Sequence, residues 1–160
     1  MSDDSKDVMR DTWARYLGYS NEVGESFRAI APVKLVRASY GLAFAYVLAD
    51  TADKGVRMLM SGFGGLLQKD GRPRNVMIAT GDALIWQTLA SIVIPGITIN
   101  RICAYSGRAL SKYPKIPGAV RTWMTVGIGL ASIPFIVVPI DIGVTFLMNL
   151  TYRRWVPTDD

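Results

Sequence analysis

Four aspartates, Asp50, Asp53, Asp82 and Asp141, stand at the ends of long apolar runs, where carboxylates could relay protons or line an ion pathway. The competing reading gives each a local partner. Asp50 has one in Lys54, four residues on and therefore on the same helix face. Five cations, Arg101, Arg108, Lys112, Lys115 and Arg121, occupy a stretch without a single acid, so phosphate groups are their natural counter-charge. Gly62-Phe63-Gly64-Gly65 has the outline of a phosphate cradle, but no Gly-Lys-Ser/Thr follows, and it reads as a flexible interfacial loop. The chain has no His and one Cys, Cys103, which excludes an internal disulfide, a Cys/His metal cluster and a thiol–imidazole pair. Cys103 itself reads as a small apolar helix residue. No nucleophile has a base at a recognisable spacing. The expectation is a protein without catalytic residues, metal site or cofactor.

The elements that carry these residues follow from composition. Of 160 residues, 50% are hydrophobic and only 19% charged, below the ~25% charged of ordinary soluble domains. Mean hydropathy is +0.24. The charges cluster between long uncharged runs, which predicts an all-α membrane protein with about three transmembrane helices. The spans fall at residues 32–50, 76–100 and 121–141, within a single membrane domain, 1–160. The first is marginal, with Lys34 and Arg37 near its start. The second carries Asp82 near one end, and Pro95-Gly96 is expected to kink or break it in its latter half. The third has no charge between Arg121 and Asp141.

Amphipathic segments flank the spans. In residues 1–30, Met9, Trp13, Tyr16, Val23, Phe27 and Ile30 recur at helical spacing, with Asp11 and Arg15 as an i,i+4 pair. This segment is expected to dock on a partner surface through Trp13, Tyr16 and Phe27, since its apolar side would otherwise face water. In residues 142–156 an interfacial helix is expected, with Asp141, Thr145, Asn149 and Arg153 forming one polar stripe. Asp141, just after Pro139, is then the N-cap of that helix. Gly41, Ala45 and Ala49, and likewise Gly127 and Ala131, form small-residue faces suited to close packing within the molecule.

The net charge of +5 fits an anionic membrane surface. Nucleic acid is not indicated, because no basic stripe with interleaved aromatics is present. With three spans, eleven Lys and Arg fall on the side of the N-terminus and the Arg101–Arg121 loop, against seven on the other. The positive-inside rule then puts the first side on the matrix or cytoplasmic face. The acidic start, Met1-Ser2-Asp3-Asp4-Ser5-Lys6-Asp7, is neither a secretory signal nor an Arg-rich presequence, so any address is expected to be internal.

Four segments carry a family resemblance: RDTWARYLGYSNEVGESFR (Arg10–Arg28), SYGLAFAYVLADTADKG (Ser39–Gly55), DALIWQTLASIVIPGITINRIC (Asp82–Cys103) and IPFIVVPID (Ile133–Asp141). In order and over almost the whole chain, they resemble the mitochondrial fission process protein 1 family. The resemblance is weakest over Arg57–Arg74 and Tyr105–Gly118. It implies a multi-pass integral protein of the mitochondrial inner membrane, involved in fission and inner-membrane organisation, with no enzymatic activity. Cardiolipin is then the natural anionic lipid for the basic loop. A competing function is an accessory structural subunit of a respiratory-chain complex or supercomplex. A small carrier or channel, using the Pro95-Gly96 break and Asp82, is disfavoured because the chain shows no internal repeat.

Overall fold

The computed structural model describes residues 17–64 and 73–156, and among these it is helical without strands. A short helix, α1 (Ser20–Ser26), turns at residues 27–32 into the long α2 (Val33–Gly64). The turn is closed by the Ala31 amide donating to the Phe27 carbonyl at 2.8 Å, and the Leu35 amide bonds the Pro32 carbonyl at 2.9 Å. Proline suits this place, because the first amides of a helix have no partner within it. Helix α3 (Pro73–Gln87), a π-helical segment (Thr88–Val93) and α4 (Ile94–Ser111) then form one continuous rod. Helix α5 (Gly118–Leu150) returns, and the single turn α6 (Tyr152–Trp155) closes on the start of α3.

The rods pack through narrow seams. Val36, Ala43, Val47 and Asp50 make the buried edge of α2, each following the last by three, four or seven residues, so they lie on one face. Ala43 and Val47 meet Ile92, with Tyr40, Tyr46 and Leu84 around them. A second cluster joins Ala90 to Val144 and Met148, bordered by Trp86, Leu89 and Ile140. Away from the seams, large apolar side chains face outward: Leu35, Leu42, Phe44 and Leu48 on α2, and on α5 Phe135 at 79% exposure and Ile142 at 65%.

Among the described residues, two helical stretches, Arg74–Ser111 and Gly118–Trp155, are long and apolar enough to cross a membrane. The expected spans 76–100 and 121–141 lie inside them, whereas the segment 32–50 on α2 does not meet the same measure, as Lys34 and Arg37 foreshadowed.

Several expectations are corrected. Asp141 is not an N-cap: α5 runs unbroken through Pro134 and Pro139 to Leu150, so no helix begins near Ile142, and residues 142–156 hold the end of α5 and the single turn α6 rather than one interfacial helix. Each proline removes one backbone bond, but a loop there would strip partners from several carbonyls beside apolar surroundings, which costs more. At Pro95-Gly96 the rod is not broken. The missing Pro95 amide is accommodated by the π-helical turns at Thr88–Val93, immediately upstream. The small-residue faces point outward: Gly41, Ala45, Ala49, Gly127 and Ala131 are exposed, and a Cβ at Gly41 or Gly127 would meet nothing. Gly62-Phe63-Gly64 continues α2 rather than forming a loop.

Candidate functional site: a polar interior built on α1

Helix α1 has its polarity reversed relative to the amphipathic expectation. Asn21, Glu22, Glu25 and Ser26 are its buried residues, while Val23 is 41% exposed and Ile30, just beyond it, 44%. Phe27 is only half-buried, and Trp13, Tyr16, Asp11 and Arg15 lie outside the described residues. Within the molecule, α1 packs through its polar side chains. It folds back along α2, where Ser20 donates to the Ser39 carbonyl at 2.9 Å. Close approach requires Gly24, since a Cβ there would overlap the Ser39 side chain. It also requires Gly129 on α5, where a Cβ would sit 2.7 Å from Cys103 Sγ and 2.9 Å from Ser26 Oγ.

The inward face of α1 reaches three other elements. Asn21 Nδ2 donates to the Ile92 carbonyl at 3.2 Å, in the π-helical segment. Glu25 is fully engaged: Arg28 donates to it through both Nε, at 2.7 Å, and Nη2, Tyr40 Oη donates at 2.8 Å, and Asn100 Nδ2 at 3.0 Å. Burial alone would raise the Glu25 carboxyl, but the hydrogen bonds from Arg28, Asn100 and Tyr40 outweigh it and hold the group below the ordinary carboxylate range. One turn earlier, neither oxygen of the fully buried Glu22 accepts a hydrogen bond. Burial, with a contribution from the Asp141 carboxylate, pushes the Glu22 carboxyl from 4.5 up to about 8.

A second polar group ties α2 to α3. Asp50, 1% exposed, takes Lys54 and the Gln87 amide on one oxygen, and Thr51 donates to Gln87 Oε1 at 3.3 Å. The i,i+4 partner expected for Asp50 is therefore present, and Asp53 has the equivalent one in Arg57 at 2.8 Å. Gln87 was not singled out by the sequence, because a glutamine within an apolar run announces no chemistry until its partner is known.

The stripe Asp141, Thr145, Asn149 and Arg153 turns toward α3. Thr145 Oγ1 accepts from Trp86 Nε1 at 3.0 Å, and Arg153 clasps Asp82 with two bonds of 2.8 and 2.7 Å while donating to Asn149 at 2.9 Å. Tyr152 Oη donates to the Ile78 carbonyl at 3.1 Å. Glu22 and Asp141 face one cavity of about 300 Å³, together with Tyr19, Tyr46, Trp86 and Gln87.

The basic residues divide into two kinds. Arg101, Arg108 and Lys112 are exposed on α4 or at its end, at spacings of seven and four that put them on one face, and Lys115 is exposed in the following turn. Arg108 lies over the Tyr105 ring, 5.8 Å from its centre. Arg121 is turned inward instead, donating to the Ile116 carbonyl at 3.1 Å and holding the α4–α5 turn.

Outward apolar surface, inward polar side chains and two membrane-length rods define an all-helical membrane protein. No solved structure matches the chain. The family model "Mitochondrial 18 KDa protein (MTP18)" matches residues 5–72 and 67–148. The chain is 49% identical to the zebrafish (Danio rerio) "Mitochondrial fission process protein 1" over 92% of its own length and 87% of the relative's. With the human (Homo sapiens) protein of that name the identity is 47%, over 96% and 90%. With that of Caenorhabditis elegans it is 46%, over 93% and 88%. The chain belongs to the mitochondrial fission process protein family.

Proposed function

We propose that this chain is a non-enzymatic, multi-pass protein of the mitochondrial inner membrane that takes part in fission by organising the bilayer around it. The observation that carries the reading is near-half identity, along almost the whole chain, to relatives named for the fission process. The outward apolar faces support the membrane part: exposed Phe135, Val138, Ile142 and Phe146 on α5 need a hydrocarbon neighbour. Helix α2 is the third crossing. It has outward Leu35, Leu42, Phe44 and Leu48, and its one deeply buried carboxylate, Asp50, is paired with Lys54 inside the protein. Lys34 and Arg37, close to its start, can extend to the headgroups.

Arg101, Arg108, Lys112 and Lys115 then meet anionic lipid, with cardiolipin the inner-membrane candidate. Each is worth about 1 kcal/mol near such a surface. The test is replacement of the native relative by this chain in human cells lacking it. Restored mitochondrial fission, with the chain in the carbonate-resistant inner-membrane fraction, is the expected result. Unchanged morphology, together with co-migration with a respiratory complex on a native gel, would instead favour the accessory-subunit role.

A further inference from the structure

We infer that the cavity between α1, α2, α3 and α5 is a binding site for an organic ammonium group, held by Glu22 and Asp141 and walled by the rings of Tyr19, Tyr46 and Trp86. Two observations converge on this chemistry. Glu22 is fully buried, lines the cavity and has both carboxylate oxygens without a hydrogen-bond donor, so the fold holds an acceptor pair at a cost it does not recover within itself. The other is the wall. Three aromatic side chains and two acids line the space, and none of the described residues around it is Lys or Arg.

Aromatic faces attract weakly hydrated cations through their quadrupoles, most strongly where water is excluded. A small metal ion is served less well, because among the described residues no three His, Cys, Asp or Glu side chains converge as a metal site would need. An ammonium group uses both kinds of wall. The volume of about 300 Å³ is at the small end of organic ligand sites, enough for a headgroup or a free amine. A neighbouring cavity of about 370 Å³ shares Trp86 and Gln87, but its one acid, Asp82, is already clasped by Arg153, so no carboxylate there awaits a cation. The preference therefore belongs to the Glu22 side.

The test is calorimetric titration of choline, at a pH above about 8 where Glu22 is ionised, into the full-length chain in nanodiscs of phosphatidylglycerol, with 3,3-dimethylbutanol as the uncharged isostere. Saturable choline binding is expected, with the isostere about tenfold weaker or worse. Glu22→Gln should lose a similar factor while keeping the wild-type circular dichroism. Should that variant fail to fold, Tyr46→Leu and the isostere comparison on the unaltered chain still decide the matter. Discs containing phosphatidylcholine identify the source: loss of choline binding there assigns the site to a lipid headgroup, and unchanged binding assigns it to a soluble amine. Absence of saturable binding in the phosphatidylglycerol discs, or equal affinity for choline and its isostere, overturns the inference.

Discussion

Glu22 and Glu25 lie one turn apart on the same face of α1, both buried, yet Glu25 accepts four hydrogen bonds from three residues and Glu22 accepts none. One carboxylate is therefore stabilised in its charged form and the other in its neutral form.

The pair sets the pH response. A raised carboxyl in the folded state contributes stability that is present below its ordinary value and lost as pH rises, so Glu22 should erode stability between 4.5 and about 8. Glu25, lowered, contributes stability above the ordinary carboxylate range and loses it as pH falls through the folded value. Melting in detergent should therefore decline steadily from mildly acid to weakly alkaline pH. Glu22→Gln should flatten that decline and raise the melting temperature at pH about 8 by roughly 2–4 °C per kcal/mol recovered. A variant as pH-dependent as the wild type would contradict the assignment.

Glycines predict opposite outcomes by position. Gly24→Ala forces the new methyl group into Ser39 and should cost about 1–3 kcal/mol by prising α1 from α2. Gly41→Ala, on the open face of α2, should be neutral or stabilising by up to about 1 kcal/mol. Thermal melts of the two single variants check the contrast.

The basic residues should separate in the same way. Replacing Arg101, Arg108, Lys112 and Lys115 together by Gln should reduce flotation with cardiolipin vesicles and leave the melting temperature unchanged. Arg121→Gln should do the reverse, because its guanidinium holds the carbonyl of Ile116 and not the outer surface.

The clasp between Asp82 and Arg153 anchors α6, the turn that follows α5, to α3. It is partly exposed, so Arg153→Ala should cost only about 1 kcal/mol globally. Proteolysis near Tyr152–Trp155 should nevertheless accelerate measurably, because the last turn would lose its ion pair to α3 and be held there by Tyr152. Limited digestion followed by mass spectrometry reads this directly.

Helical class, two of the rods and the Asp50–Lys54 pair were legible in the residues themselves, because uncharged length and i,i+4 spacing are local properties. The family, too, was legible, since long segments carry it. Which face of α1 turns inward was not. Spacing shows that Val23 and Phe27 share a side, but whether that side meets protein or hydrocarbon depends on what surrounds the helix, and Asn100, Tyr40 and Ile92 lie far away in sequence. Asp141 shows the same limit. Pro139 before it reads as a break by local rules, yet the continuous α5 carries the aspartate past the proline and into a cavity with Glu22. Local chemistry determined which segments are helices; the meeting of groups more than a hundred residues apart, and so the polar interior, was decided only when the helices packed.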